Sequence, residues 1–192
     1  MAIFEQAYQI TTGNEGGYAN DPHDSGGETW KGVSRKNWPH WQGWPIVDNI
    51  KSKHPESLND SLAKDIELTT LVLNLYKKSF WDCNSLDLIR DQQIANQLFD
   101  IGVNMGTGEG AKLLQSAIDT FPGNSIPIDE KVGPKTIETA NNLDPEKLYN
   151  VINELRKAHY NAIIIHNPSD ERYRNTWFSR IKPYNESMST VA

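Results

Sequence analysis

The chain of 192 residues is 37% hydrophobic and 23% charged, and its formal net charge is −6. This length suffices for one well-buried core, or at most for two small cores that share an interface. The mildly acidic balance, without a cluster of Lys and Arg, argues against a nucleic-acid partner, and the lack of a long apolar run argues against membrane insertion.

The start of the chain bears on where the protein is made. Residues 1–17 contain no basic segment and no continuous apolar segment of the kind found in secretory signals. We therefore expect synthesis in the cytoplasm without a standard signal peptide. Cys83 is the one cysteine, which excludes an internal disulfide and agrees with a reducing compartment.

Hydrophobic spacing predicts a first helix that ends near Gly13. Residues 16–32 hold too many Gly, Pro, Asn and Asp for a helix and predict an irregular loop or a small β-ribbon. Three Trp separated by two Pro in residues 36–55 predict a surface loop with at most a short, interrupted helix. Ser61 is the predicted N-cap of one long helix that ends near residues 80–81.

Further helices are predicted in the second half of the chain. One is expected over residues 91–101, ended by the Gly and Asn residues of 102–106, and the next over residues 111–121. Pro134 is expected at the first position of a following helix, and Asp144 with Pro145 begins a long one. The fold class is therefore mainly α, and the Trp and Phe at 177 and 178 are expected to dock on the core.

The stretch from Glu15 to Val33, EGGYANDPHDSGGETWKGV, has the composition of a site. A glycosidase needs one carboxylic acid to protonate the leaving oxygen and a second carboxylate to position water or attack the sugar. Glu15 is our candidate acid, Asp24 the candidate second carboxylate, and the Thr29 hydroxyl a candidate to orient the water. The alternatives are a helix-end surface charge, an Asx-turn residue and a strand residue, respectively.

Candidate saccharide contacts lie in the same stretch and beyond it. Tyr18 and Trp30 have aromatic faces on which a sugar can pack, although core packing is the common role of a Trp. Asn104 could donate to an N-acetyl or hydroxyl group, or it could cap a helix. The Trp residues at 38, 41 and 44 are expected to serve core or loop packing.

Other chemistries lack their sequence patterns. The five His residues form no recognisable pattern with Cys83, so a thiol peptidase is not indicated. The chain contains neither HExxH nor paired CxxC, and its glycines match neither a Walker loop nor a dinucleotide fingerprint. We expect no metal and no cofactor.

The stretch that begins at Glu15 resembles the signature of glycoside hydrolase family 108, the N-acetylmuramidase-like lysozymes, in which the Glu of an EGGY-type motif is the catalytic acid. The resemblance implies that Glu15 is essential and that the fold is lysozyme-like. It continues through LYKKSFWD at 75–82, FDIGVNMG at 99–106 and LLQSAI at 113–118. The spacing of Glu15, Asp24 and Thr29 also resembles the Glu-Asp-Thr arrangement of phage-type lysozymes, with one residue fewer before the Thr.

The C-terminal part carries a second resemblance. DEKVGPKT at 129–136 is similar to the peptidoglycan-binding segment that follows the catalytic part in this family. TWFSRI at 176–181 resembles a terminal Gly-Trp-x-x-Arg element, with Thr176 where Gly is usual. The resemblance implies a lysozyme-like catalytic part over residues 1–106 and a helical wall-binding part over 107–192, packed as one compact unit.

The implied function is that of a bacteriolytic muramidase, an endolysin of phage or prophage origin. It would cleave the β-1,4 bond between N-acetylmuramic acid and N-acetylglucosamine in peptidoglycan glycan strands, after release through a holin or an export system. Two alternatives stay open. One is a non-catalytic peptidoglycan-binding or secretion-assisting protein on the same fold, and the other is a lytic transglycosylase.

Overall fold

The computed structural model describes residues 1–13, 16–20 and 27–185. The chain divides into two compact units. The ribbon unit comprises residues 8–79, and the helical unit comprises residues 1–7 together with the chain from residue 80 onward. The predicted fold class, mainly α with a small β-ribbon after the first helix, is confirmed. The predicted functional division at residue 106 differs from this division into compact units and stays a prediction.

The first helix and the ribbon follow the sequence pattern. Helix α1 spans Phe4–Thr12, and three short strands follow it, β1 (Tyr18–Ala19), β2 (Thr29–Trp30) and β3 (Val33–Ser34). They form an antiparallel sheet in the order β1-β2-β3. The two residues between β2 and β3, Lys31 and Gly32, have positive φ values of 44° and 77°, as a tight two-residue hairpin turn requires.

Residues 36–55 differ from the predicted surface loop. Helix α2 spans Trp44–Lys53, with Pro45 in its first turn, where the missing N–H of proline costs no helical hydrogen bond. Trp44 is 3% exposed and donates its indole N–H to the Trp38 carbonyl over 2.8 Å. The Trp41 ring meets the Trp44 ring edge to face, so packing is the role of this Trp pair.

The predicted long helix from Ser61 is wrong, because two helices occupy this region. Helix α3 spans Leu58–Lys64 and helix α4 spans Ile66–Tyr76. Asp65 between them has extended backbone angles and accepts a hydrogen bond from the Leu68 N–H over 2.7 Å. Asp65 is therefore the N-cap of α4, whereas Ser61 lies inside α3 with its hydroxyl 3.3 Å from that of Ser57.

The helical unit is built mainly from five helices. Short turns at Asp82–Asn84, Leu86–Leu88 and Pro168–Tyr173 accompany them, and a π-helical turn, Lys77–Trp81, precedes them. The helices are α5 (Gln92–Met105), α6 (Thr107–Asp119), α7 (Pro134–Asn142), α8 (Pro145–His166) and α9 (Arg174–Ser179). The predicted starts at Pro134 and at Asp144 with Pro145 are confirmed.

Helix α5 does not end at Gly102 as predicted. It continues to Met105, and Gly106, with φ at 95°, ends it. Gly110 of α6 lies at a helix contact, because a Cβ there would be 3.5 Å from the Leu98 carbonyl oxygen and from the Ile101 side chain of α5. A methyl group at Gly110 would thus be in van der Waals contact with α5, so α5 and α6 pack closely.

The C-terminal segment is fixed to α5 and α8. Asp100 of α5 accepts from Arg156 Nη2 over 2.5 Å and from Arg180 Nη1 over 2.9 Å, and Arg156 is 1% exposed. The Trp177 ring stacks on the Tyr160 ring with centroids 5.3 Å apart. The expected docking of the C-terminal aromatic pair is confirmed. In the described part of the chain, no helix has both the length and the apolar character needed to cross a bilayer.

We expect Asp65→Ala to lower the free energy of unfolding by about 1 kcal/mol, because it removes the side-chain acceptor in the first turn of α4. Ser61→Ala is the comparison variant, and its loss should stay within about 0.5 kcal/mol, since Ser61 caps no helix. Urea unfolding followed by circular dichroism measures both values. Equal losses would contradict the division of this region into two helices.

Candidate functional site

The candidate site residues fall in different parts of the chain. Glu15 and Asp24 lie outside the described residues, so their roles stay predictions. Tyr18, Thr29 and Trp30 lie on the ribbon, in β1 and β2, and Asn104 lies in the helical unit. The described geometry therefore concerns the ribbon that follows Glu15 in sequence.

Tyr18 is held at three points. Its backbone N–H donates to Asn59 Oδ1 over 2.7 Å, and its phenol donates to Glu28 Oε1 over 2.6 Å. The Lys51 ammonium lies 5.2 Å from the centre of its ring. The preceding Gly17 has no side chain, and a Cβ there would collide with the Asn59 amide. Tyr18 is therefore fixed in orientation while staying partly exposed.

Glu28 is the centre of this arrangement, and the sequence analysis missed it. Its side chain is 13% exposed and forms ion pairs with Arg35 Nε at 2.7 Å and Lys51 Nζ at 3.0 Å. Arg35 also binds Asp48 through two nitrogens, at 2.6 and 3.2 Å. We call Tyr18, Glu28, Arg35 and Lys51 the Glu28 cluster. The available signal was a carboxylate in the glycine-rich stretch together with basic residues further along the chain.

The Glu28 cluster determines the protonation states of Glu28 and Tyr18. Burial raises the pKa of Glu28, but hydrogen bonds from Tyr18 and Lys51 and the charges of Arg35 and Lys51 outweigh it, so its pKa lies below the usual carboxyl value. Burial, followed by the hydrogen bond to Glu28, raises the pKa of Tyr18. Glu28 is thus a stable anion and Tyr18 a stable neutral donor near neutral pH. Such a carboxylate is unsuited to donate a proton.

Thr29 and Trp30 have different surroundings in β2. Thr29 is partly exposed and lies opposite Ala19 of β1 and Ser34 of β3. Trp30 is 1% exposed, which is the burial expected of a packing role, and its contact with substrate stays a prediction. The apolar area that the indole buries explains this position.

Asn104 lies in the last turn of α5 and is exposed. Its amide nitrogen donates to the Asp100 carbonyl over 2.7 Å and to Asp100 Oδ1 over 3.2 Å. Because α5 continues to Met105, Asn104 does not end the helix as predicted, and its amide donor is used within the helix. A substrate contact by Asn104 would have to use its amide oxygen or displace these bonds.

Over residues 1–13, 16–20 and 27–185, no group of three or more His, Cys, Asp or Glu side chains could hold a metal ion. Glu28 and Asp100 form ion pairs with Arg and Lys side chains instead.

We expect Glu28→Gln to lower the free energy of unfolding by about 1–3 kcal/mol at neutral pH, because it removes a carboxylate that accepts hydrogen bonds from Tyr18 and Lys51 and forms an ion pair with Arg35. A folded-state pKa below the unfolded value stabilises the fold above the unfolded pKa, and this stabilisation is lost as pH falls through the folded pKa. The difference between wild type and Glu28→Gln should therefore shrink on acidification. Urea unfolding from about pH 7 to about pH 3 measures it.

The control for this series is Glu56→Gln, since Glu56 is exposed. Its stability should follow wild type within about 0.5 kcal/mol at every pH. A Glu28→Gln variant as stable as wild type at neutral pH would show that the Glu28 cluster contributes nothing to stability.

Comparison with known proteins identifies the chain by two segments. The model of the family described as glycosyl hydrolase 108 matches residues 8–106, which is 99 of the 192 residues. The model described as a predicted peptidoglycan domain matches residues 109–182. The matched segments meet at the Gly106 turn between α5 and α6.

The solved structure of Brucella abortus SagA has a similar fold. The TM-score is 0.61 with 18% sequence identity, over 93% of this chain and 88% of that one. No curated protein matches the sequence. On the two family matches, this chain belongs to the glycosyl hydrolase 108 family and is a peptidoglycan hydrolase.

Proposed function

We propose that the chain is an N-acetylmuramidase that hydrolyses the β-1,4 bond between N-acetylmuramic acid and N-acetylglucosamine, with Glu15 as general acid. The observation that carries this proposal is the family match across the EGGY motif. Glu15 falls in the segment that joins the end of α1 at Thr12 to the start of β1 at Tyr18.

The Glu28 cluster supports this choice of acid. Four carboxylates occur in the glycine-rich stretch, at residues 15, 21, 24 and 28. Glu28 is bound as an anion by two cations and a phenol, so it is not the proton donor. Exclusion of Glu28 leaves Glu15, Asp21 and Asp24. Among these, the resemblance of the EGGY motif names Glu15 as the acid, and the spacing that resembles phage-type lysozymes names Asp24 as the second carboxylate.

The remaining roles follow from this assignment. Glu15 protonates the leaving glycosidic oxygen, while Asp24 positions water or stabilises the positive charge that develops on the sugar. Thr29 helps to orient the water. Tyr18 presents a ring edge or face to the glycan, with its orientation fixed by Glu28 and Asn59. Residues 107–192 bind the peptidoglycan of the cell wall.

We expect Glu15→Gln to reduce cleavage of purified peptidoglycan by at least about 100-fold, because general acid catalysis contributes that much or more. Thermal stability should stay near that of wild type. Glu5→Gln is the matched control, since Glu5 is exposed in α1 and should cleave like wild type. Wild-type rates for Glu15→Gln would remove Glu15 from the mechanism.

We expect Asp24→Asn to cleave more slowly than wild type, because the amide cannot carry the negative charge that the second carboxylate supplies. The rate of release of soluble fragments measures the effect. Full activity in Asp24→Asn would reject Asp24 as the second carboxylate and favour the alternative, an Asx-turn residue.

The products distinguish the proposed reaction from its alternatives. Fragments released by wild type are reduced and their masses determined. Reducible muramic-acid ends identify hydrolysis, whereas anhydro ends identify a lytic transglycosylase. Binding to the wall without any fragments identifies a non-catalytic protein. A phage or prophage origin, and access to the wall through a holin or an export system, stay predictions.

A further inference from the structure

The helical unit contains a cavity of about 420 Å³ between the turn at Leu86–Leu88 and helix α7. This volume lies in the range of small-molecule sites. Asn141 of α7 joins its two walls, because its amide oxygen accepts from the Arg90 N–H and its amide nitrogen donates to the Leu88 carbonyl, each over 2.8 Å. The two walls of the cavity are thus joined by hydrogen bonds between the Asn141 side chain and the backbone of Leu88 and Arg90.

The floor of the cavity is apolar. Leu88, Val132, Pro134 and Ile137 line it. Leu88 is 45% exposed, which is high for a large apolar side chain beside a folded core. These aliphatic side chains suit methyl groups rather than a flat sugar face, and no aromatic ring is among the lining residues that the structure describes.

Two opposite charges border the same cavity. Arg90 and Glu138 both line it and are both exposed. Within the described chain neither forms an ion pair, and the Arg90 guanidinium makes one long hydrogen bond, 3.5 Å, to the Asn141 carbonyl. A guanidinium with donors to spare binds a carboxylate through two parallel hydrogen bonds, and a free carboxylate binds an ammonium group.

We propose that this cavity binds the peptide stem of peptidoglycan. Alanine methyl groups of the stem fit the apolar floor, a stem carboxylate pairs with Arg90, and the amino group of the diamino acid pairs with Glu138. The proposal rests on the proposed function in that peptidoglycan is the substrate. It extends that function by separating a peptide site from the glycan site that Glu15 and Tyr18 belong to.

The lining residues of the cavity come from both segments that match a family model, which supports this assignment. Helix α7 and Val132 belong to the segment matched by the predicted peptidoglycan domain, whereas Leu88 and Arg90 belong to the segment matched by the hydrolase family. Both segments therefore supply lining residues. Recognition of a stem at this cavity would use both parts of the chain at once.

The test is calorimetric titration of the full chain with a soluble stem tetrapeptide that contains alanine and diaminopimelate. We expect wild type to bind it, and Arg90→Gln to weaken binding about tenfold or more, as expected for loss of a charge-assisted hydrogen bond. Glu138→Gln should also weaken binding. Lys135→Gln and Glu146→Gln make the same charge changes at exposed residues outside the cavity and should bind like wild type.

A second ligand tests the contact itself. Wild type should bind the tetrapeptide amidated at its carboxyl groups more weakly than the free acid, and Arg90→Gln should lose this discrimination. Circular dichroism of each variant verifies that the fold is intact. Peptide-free glycan strands serve as the comparison ligand. The affinity of the protein for them should be the same in wild type and in Arg90→Gln.

Three results would overturn the proposal. They are absence of tetrapeptide binding by wild type, equal binding by folded Arg90→Gln, and a loss of glycan binding in Arg90→Gln that matches the loss of peptide binding. Cleavage without peptide binding would reject the peptide site and leave the proposed function intact. Peptide binding without cleavage would reject the proposed function and leave the peptide site intact.

Discussion

The ribbon depends on one carboxylate that is kept charged. Glu28 accepts from the Tyr18 phenol in β1 and pairs with Arg35 after β3 and Lys51 in α2. A sheet of three two-residue strands has few ladder hydrogen bonds of its own, so side-chain contacts must hold it. The anion at Glu28 joins the ribbon to α2 and orients the Tyr of the EGGY motif, and the candidate chemistry therefore depends on a residue outside the catalytic set.

The helical unit also has a carboxylate that binds two cations, here between helices. Asp100 of α5 binds Arg156 of α8 and Arg180 near the C-terminus. Arg156 is 1% exposed, and a buried charge that loses its partner is strongly destabilising. The pairing thus specifies where the last described helix docks, while the aromatic stack of Trp177 on Tyr160 supplies apolar contact. In both units, a carboxylate among the described residues thus binds two cations, Arg35 and Lys51 at Glu28 and Arg156 and Arg180 at Asp100.

Local signals predicted the parts of this fold that local physics decides. The cap and proline at Asp144 and Pro145, and the spacing of α1, α6 and α8, identify helices correctly. The break at Asp65 was missed because Ser61 is an equally good cap by residue type, and the continuation of α5 through Gly102 was missed because helix packing decides it. Glu28 was missed because its partners Arg35 and Lys51 become neighbours through folding. The EGGY motif, in contrast, identifies Glu15 from the sequence alone, without knowledge of these tertiary contacts.

The close packing of α5 against α6 limits whether the C-terminal segment of this enzyme can be exchanged for that of another hydrolase. The two matched segments are separated only by residues 107–108, yet a Cβ at Gly110 of α6 would already contact Leu98 and Ile101 of α5. Leu98, Ile101 and Leu114 are at most 1% exposed. A chain cut at this boundary would leave an apolar helix face in water, so the C-terminal segment cannot be exchanged between hydrolases as a tethered module would be. It has to be inherited together with the helix against which it packs.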